Sequence, residues 1–294
     1  MTKAKLISLG ELIDQTWNIY HKHFKTLITI SAWLLIVGIL NMIALIFYPD
    51  ANSVAQSIFN DRALSGTETT GVLLYAITLY LVNPILNIWI FGSTILTAKN
   101  IINRKSVNLK KIYRESAKLF LPALLVIILT ALILIGAFLI AYGPSVILLL
   151  LAALFKSGML TTLAAVIYIP SIFVATILAF RWGIFYIFSS YSVFIENTSG
   201  IAAIKRSKSL VQGRFWNTVV LFAVPKIIAI VIAAVLMYVF LFAVSLLTST
   251  YSTDLNAHLR LFSYLDELIP IAAAILLNPV LIIADVLLYQ SLKK

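Results

Sequence analysis

The chain carries the sequence LFLPALLVIILTALILIGAFLIAY at Leu119–Tyr142, a run without a charged side chain. A helix rises about 1.5 Å per residue, so about 20 apolar residues cross a hydrocarbon core of about 30 Å. The run is long enough to do this, and it predicts a transmembrane helix.

Similar runs on either side bring the number of predicted spans to six. They are Leu27–Tyr48, Gly71–Ala98, Leu119–Tyr142, Met159–Ser190, Thr218–Leu247 and Leu268–Gln290. The composition agrees, since 62% of the 294 residues are hydrophobic and 11% are charged, against about half and a quarter in a soluble domain. The sequence predicts an all-α integral membrane protein that forms a single membrane domain, 1–294, and it excludes a soluble globular domain.

A shorter apolar piece, Ser145–Phe155, lies between Gly143-Pro144 and Ser157-Gly158. It is too short to cross the bilayer, and the basic segments on both sides of the third and fourth spans must share one face of the membrane. We therefore expect a short re-entrant or interfacial helix there.

The basic residues indicate how the spans are oriented. Most of the 22 Lys and Arg fall in four segments that the six spans place on one side, namely 3–25, 99–118, 205–214 and 293–294. The positive-inside rule therefore places both the N-terminus and the C-terminus in the cytoplasm.

The chain repeats one pattern three times. The sequence LVNPIL at 81–86 matches LLNPVL at 276–281, and Pro170 lies in the span between them. A basic segment containing an aromatic residue precedes each odd-numbered span. We interpret the chain as three αα-hairpin repeats, at about 8–100, 106–196 and 199–294.

Each repeat is predicted to begin with a cytoplasmic amphipathic helix. In the first, Ser8 and Glu11 fit a capping box, and apolar residues recur at helical spacing from Leu9 to Phe24. The second and third copies, at 109–120 and 201–215, have shorter apolar stripes. Such helices lie in the headgroup layer with their cations toward anionic lipid. Packing on the cytoplasmic ends of the bundle is the alternative, and both can hold at once.

Prolines interrupt the even-numbered spans at Pro84, Pro170 and Pro279. Each removes a backbone hydrogen bond inside a helix, and neighbouring helices, or Asn83 and Asn278, can satisfy the freed carbonyls. We expect three equivalent kinks that shape the bundle. A functional hinge or a pore-lining break is the alternative.

Three short motifs resemble a known family. The sequences LGELIDQTWNIY at 9–20, FKTL at 24–27 and IKRSKSLVQGRFW at 204–216 resemble bacterial and archaeal proteins grouped as the membrane domain of glycerophosphoryl diester phosphodiesterase. In that family the catalytic activity belongs to a separate soluble α/β-barrel domain, and this chain has no such stretch. The resemblance implies a stand-alone protein of the prokaryotic plasma (inner) membrane, with no catalytic residue to carry over.

The sequence offers little for catalysis or metal binding. It has no Cys, which excludes disulfides, thiolate zinc sites and iron–sulfur clusters, and it contains no P-loop, dinucleotide-binding or zinc-protease motif. His21 and His23 lie on different faces of a helix, and His258 has one nearby carboxylate. We interpret the adjacent Asp266 and Glu267 as helix-start charges rather than an acid/base pair. The sequence therefore predicts no catalytic residue, no metal, no cofactor and no nucleic-acid partner.

Three charged residues inside the predicted spans, Arg181, Lys226 and Asp285, form a candidate intramembrane cluster. A carboxylate at a helix centre costs about 2.5–3.5 kcal/mol on insertion scales, so we expect Asp285 to face the bundle and to meet Arg181, Lys226 or both. One interpretation is a structural ion pair or snorkelling side chains. The other is a basic pocket that binds a lipid headgroup or another anion from the cytoplasmic leaflet.

Two classes of function follow from these features. The first is a membrane scaffold or regulator without catalytic machinery, acting on lipids that are anionic on the cytoplasmic face, on a membrane-protein partner or as a homo-oligomer. The alternative is a transporter, channel or lipid-handling protein that uses a cytoplasmic-side basic pocket, and a membrane-embedded lipid enzyme comes third. A polar cavity that reaches Arg181 and Asp285 favours transport or lipid binding, whereas a dry interior favours the scaffold.

Overall fold

The structure is a computed structural model that describes residues 6–49, 53–54, 57, 63–251 and 255–294. These residues are helical apart from short connections, and no strand occurs among them. The helices are α1 Leu9–Lys22, α2 Phe24–Ser31, α3 Leu35–Phe47, α4 Gly66–Ile77, α5 Asn83–Ile102, α6 Leu109–Lys118, α7 Phe120–Phe155, α8 Gly158–Tyr186, α9 Ser189–Glu196, α10 Gly200–Val211, α11 Phe215–Tyr251 and α12 Leu255–Lys293. A 3-10 turn, Ala32–Leu34, joins α2 to α3, and a π-helical turn, Thr78–Val82, joins α4 to α5.

Six helical segments in the described part of the chain are long and apolar enough to cross a membrane. They are Phe24–Phe47, Gly66–Ile102, Phe120–Phe155, Gly158–Glu196, Phe215–Leu246 and Glu267–Lys293. Each overlaps one predicted span, so the prediction of an all-α protein with six long apolar helices is confirmed. The threefold repeat, the amphipathic cytoplasmic helices and the side on which the termini lie stay predictions.

The separate short helix predicted at Ser145–Phe155 is wrong. These residues are the last part of α7, which continues through Pro144 for 36 residues. Pro144 lacks one N–H, but ending the helix in an apolar environment would leave several more backbone groups unpaired. In addition, Oγ of Ser145 donates to the carbonyl of Tyr142 at 2.8 Å, within the turn that contains the proline. The helix ends only at Lys156, which adopts a left-handed conformation with φ of 48°.

The chain forms two compact units. Within the described residues, the first comprises Lys118–Leu221 and Leu288–Lys294 together with Leu6, and the second comprises Ile7–Ala117 and Phe222–Leu287. In the first unit α7 and α8 pack together as a long hairpin. The hydroxyl of Ser207 on α10 donates to the carbonyl of Phe185 at 2.8 Å and accepts from the N–H of Phe188 at 3.1 Å. This side chain therefore fixes α10 to the turn between α8 and α9.

In the second unit α3 and α4 form a hairpin that depends on Gly71. A Cβ at this position would lie 2.6 Å from the backbone nitrogen of Tyr48, so glycine permits a helix approach that any other residue would obstruct. A core of Ile30, Leu34, Ile90 and Ile275 joins α2, the 3-10 turn, α5 and α12.

Tyr20 fixes α1 to α12 in this unit. Its hydroxyl donates to the carbonyl of Leu276 at 3.0 Å, three residues before Pro279, in the turn that the proline weakens. Burial raises the pKa of Tyr20. Leu12 and Thr16 are buried with it, whereas Trp17 is 61% exposed. One edge of the predicted apolar stripe thus packs on the protein, and the other edge is uncovered.

Candidate functional site

Asp285 lies on α12, the most enclosed of the six apolar segments, in which half of the most hydrophobic stretch is buried against 11 to 39% in the others. The residue is 4% exposed. Its Oδ1 lies 2.6 Å from Nζ of Lys226 on α11, and the same ammonium lies 3.3 Å from the centroid of the Phe222 ring. Two of the three predicted charges therefore form a short ion pair against an aromatic ring.

Arg181, the third predicted charge, belongs to the first unit, where it lies on α8 with an exposed side chain. The carbon of its guanidinium lies 5.7 Å from the centroid of the Phe185 ring, one turn further along the same helix. A cation that rests on the surface of its own helix agrees with the snorkelling interpretation.

The Lys226–Asp285 pair is electrically neutral. Asp285 is buried and a quarter of the Lys226 side chain is exposed, so each charge is compensated by the other where water is scarce. Such a pair joins two helices and leaves no excess positive charge for an anionic headgroup. For these two residues the geometry favours the structural interpretation over the anion pocket.

The predicted kink residues occupy different local structures. Pro84 follows the π-helical turn. At the end of that turn the N–H of Asn83 donates to the carbonyl of Thr78, five residues earlier. Asn83 also accepts hydrogen bonds from Nδ2 of Asn87 at its carbonyl and at its Oδ1.

Pro170 and Pro279 instead lie inside the continuous helices α8 and α12. Asn278 lines an apolar cavity of about 400 Å³ between α11 and α12. The π-helical turn is found before Pro84 alone among the described prolines, so the three prolines are not equivalent in local structure.

Glu267 is a site residue that sequence reasoning missed. The interpretation as a helix-start charge is wrong, because α12 begins well before it, at Leu255; the side chain of Asp266 lies outside the described residues. Oε2 of Glu267 accepts from Nδ2 of Asn41 on α3 at 2.9 Å, and Oε1 accepts from the hydroxyl of Tyr75 on α4 at 2.6 Å. The carboxylate therefore connects three helices through neutral donors.

A cavity of about 290 Å³ lies beside this carboxylate, and we name it the Glu267 cavity. Its polar lining consists of Asn41, Tyr75, Asn83, Asn87 and Glu267, and its apolar lining consists of Leu34, Val37, Leu79, Pro270, Ile271 and Ala274. Asn41 is 4% exposed, and its Oδ1 has no hydrogen-bond partner among the described residues. Among the side chains that the structure describes, no Lys or Arg lies within 4 Å of the Glu267 carboxylate. Within this part of the chain, the cavity therefore has a carboxylate and no paired cation.

A second polar cavity, of about 310 Å³, lies where α5 ends and α6 begins, and we name it the lysine cavity. Its lining consists of Lys99, Asn100, Lys105, Ser106, Asn108, Lys111, Ile112 and Glu115. Arg104 adopts a left-handed conformation with φ of 54°, which turns the chain back so that the N–H of Lys105 bonds to the carbonyl of Asn100 at 2.8 Å. Three ammonium groups thus line one cavity together with one carboxylate.

A charged cluster in the first unit joins the end of α9 to α10 and to the end of α12. The guanidinium of Arg206 on α10 donates twice to the carboxylate of Glu196 at the end of α9, at 2.9 and 3.0 Å, and Nζ of Lys293 lies 3.3 Å from the same carboxylate. Hydrogen bonding to Glu196 raises the pKa of Arg206. The cluster compensates charges at the helix ends, and it leaves Arg206 committed to a structural contact.

The described residues contain no group of three His, Asp or Glu placed to hold a metal ion. The two polar cavities therefore offer hydrogen bonds and charge, positive in one and negative in the other, as their means of binding. No family model matches the chain, and no match was found among the curated proteins or the solved structures compared with it.

Proposed function

We propose that the protein is a membrane scaffold that binds the headgroups of anionic lipids and catalyses no reaction. The observation that carries this proposal is the lysine cavity, in which Lys99, Lys105 and Lys111 line a volume of about 310 Å³. Basic cavities at the cytoplasmic ends of membrane-spanning helices are typical binding sites for anionic headgroups.

The chemistry of the lining suits a phosphate group. Three ammonium groups outnumber the one carboxylate of Glu115, and Asn100, Ser106 and Asn108 add amide and hydroxyl donors. Hydrogen bonds between ammonium groups and phosphate oxygens are charge-assisted and roughly twice as strong as neutral ones. The cavity of about 310 Å³ is many times the ~10–15 Å³ that one water requires, so it can admit a group with several heavy atoms.

The surroundings of the cavity support the same interpretation. Arg104 and Arg114 are exposed in the same segment, and each adds positive charge toward a lipid surface. Trp17, in the same unit and in a helix predicted to lie at the headgroup layer, is 61% exposed. Exposed tryptophans of this kind are typical of the membrane interface.

A transporter or channel has less support from the geometry. The basic pocket expected around Asp285 is a neutral pair with Lys226 at 2.6 Å, and neither residue lines the Glu267 cavity or the lysine cavity. Action on a membrane-protein partner or as a homo-oligomer stays a prediction, as does the resemblance to the phosphodiesterase membrane domain.

The test compares two pairs of lysine substitutions in the full chain, purified in detergent. Lys105→Gln with Lys111→Gln removes two charges from the cavity, and the matched control, Lys110→Gln with Lys118→Gln, removes two exposed charges from the same segment outside it. Binding of phosphatidylglycerol, measured by native mass spectrometry, is expected to weaken about 30-fold in the cavity variant, at about 1 kcal/mol per lysine.

The control pair is expected to weaken binding less than threefold. If both pairs weaken phosphatidylglycerol binding equally, the attraction belongs to the whole basic surface, and the proposed site is wrong. Phosphatidylcholine, which carries no net charge, is expected to bind all three proteins weakly and equally.

A further inference from the structure

Glu267 is a charge in the second unit that the proposed function does not use. Its carboxylate accepts hydrogen bonds from Asn41 and Tyr75, both neutral, and no cationic group among the described side chains lies within 4 Å. It is half-buried on α12, and burial of a charge without an opposite charge is costly. A cation bound beside it would remove this cost.

Asn41 gives a second and independent indication. A carboxylate only accepts hydrogen bonds, so the NH₂ of Asn41 must face Glu267, and the orientation of the amide is thereby fixed. Its Oδ1 is left buried without a partner among the described residues, although buried acceptors are nearly always paired. Asn41 lines the Glu267 cavity, so a ligand there with an N–H group can supply the missing donor.

Apart from Asn83 and Asn87, the rest of the cavity lining is apolar. Six of its lining residues are Leu34, Val37, Leu79, Pro270, Ile271 and Ala274. A matching ligand therefore has a positively charged end that carries N–H groups and a remainder that avoids water.

We propose that the Glu267 cavity binds the primary ammonium group of an amphiphile. The ammonium donates to Glu267 and to Oδ1 of Asn41, and the apolar remainder lies along α3 and α12. An aminophospholipid headgroup and a free amphiphilic amine carry the same group, so either can be the source. The site is separate from the lysine cavity and of opposite charge, and it does not depend on the binding of anionic lipids there.

Other cations fit the lining less well. A quaternary ammonium has no N–H and would leave Oδ1 of Asn41 unpaired, and its recognition uses several aromatic faces, whereas Tyr75 is the one aromatic residue in this lining. Calcium and magnesium ions take about six or more oxygen ligands, and the cavity offers one carboxylate and a few amide oxygens.

The experiment measures the thermal stabilisation of the full chain in detergent by paired probes that differ only in methylation of the ammonium group. Decylamine is compared with decyltrimethylammonium, and short-chain phosphatidylethanolamine is compared with phosphatidylcholine. We expect at least one primary-ammonium probe to bind about tenfold or more tightly than its trimethylated partner, since it alone makes charge-assisted hydrogen bonds.

Glu267→Gln is expected to abolish this discrimination, and the matched control Asp14→Asn, which removes an exposed carboxylate on α1, is expected to keep it. Tyr75→Phe retains the charge and removes one donor, so it serves as a second variant if Glu267→Gln does not fold, and we expect it to change the tenfold preference by threefold or more.

Preference for phosphatidylethanolamine alone identifies a lipid headgroup as the ligand, and preference for decylamine alone identifies a free amine; both support the site. Equal binding of methylated and unmethylated probes overturns the proposal. Discrimination that persists in Glu267→Gln, or equal stabilisation by sodium or potassium chloride at the same concentration, also overturns it.

Discussion

Asp285 and Glu267 lie on the same helix, α12, and both bring a carboxylate into an apolar segment. Asp285 is 4% exposed and lies 2.6 Å from the ammonium of Lys226. Glu267 is half-buried and is held by an amide and a phenol, neither of which carries a charge. One carboxylate is thus paired with a cation, and the other is held by neutral hydrogen-bond donors.

The difference separates a structural carboxylate from one that is free to bind. A buried charge paired with its opposite contributes to the packing of the helices that carry the two partners, and loss of either partner strands the other. A half-buried charge held by neutral donors beside a cavity can still be compensated by a bound cation. The first should therefore respond to mutation through stability, and the second through binding.

The largest effect is expected from Asp285→Ala, which leaves the Lys226 ammonium without its partner. Breaking a buried pair costs about 3–5 kcal/mol, and the partial exposure of Lys226 places the loss near the lower end of that range. The melting temperature in detergent measures it. Adding Lys226→Met to Asp285→Ala should recover most of the loss, and a double variant as unstable as the single one would show that the ion pair is not its source.

A smaller loss of stability is expected from Gly71→Ala, which tests the surroundings of Glu267. A new Cβ would clash with the backbone of Phe47 and Tyr48, and overpacking of this kind costs about 1–3 kcal/mol. It would also displace α4, and with it Tyr75, from the carboxylate. We expect a lower melting temperature and weaker amine binding, whereas Gly136→Ala, with no neighbouring atom within 4 Å, should neither lower the melting temperature nor weaken amine binding. Equal behaviour of the two alanine variants would refute the close hairpin.

Tyr20→Phe should have the smallest effect on the melting temperature. The hydroxyl of Tyr20 donates to the carbonyl of Leu276, which lies between Glu267 and Asp285 along α12. The variant removes one neutral hydrogen bond of 3.0 Å, which contributes about 1 kcal/mol. Faster hydrogen exchange in α1 would accompany a small fall in melting temperature. Tyr80→Phe, at a side chain that is 77% exposed, is the control, and identical exchange in the two variants would contradict the anchoring of α1 by Tyr20.

Much of the fold could be predicted from sequence because bilayer thickness sets the length of an apolar helix. The error at Ser145–Phe155 came from treating Gly143-Pro144 as the end of a helix, although a single missing N–H costs less than the several unpaired groups of a broken helix. The π-helical turn before Pro84 was missed for a related reason, since a proline indicates a lost bond but not how the helix adjusts to it.

Of the two carboxylate sites on α12, one could be predicted from the sequence and the other could not. A charged residue in an apolar run requires compensation, which is why Lys226 could be named as a partner for Asp285 from sequence. The partners of Glu267 are neutral, and they lie on α3 and α4, far from it along the chain. Hydrogen bonds of this kind leave no pattern of charge or spacing, so the Glu267 cavity became visible only in the folded chain.

The comparison is tested most directly by melting temperatures of Glu267→Gln and Asp285→Asn, measured side by side in detergent without added amine. Each substitution removes one negative charge and keeps the size of the side chain. We predict that Asp285→Asn lowers the melting temperature strongly, because it strands Lys226, and that Glu267→Gln leaves it unchanged or raises it. A fall in Glu267→Gln as large as that in Asp285→Asn would contradict the account, since it would make both carboxylates structural.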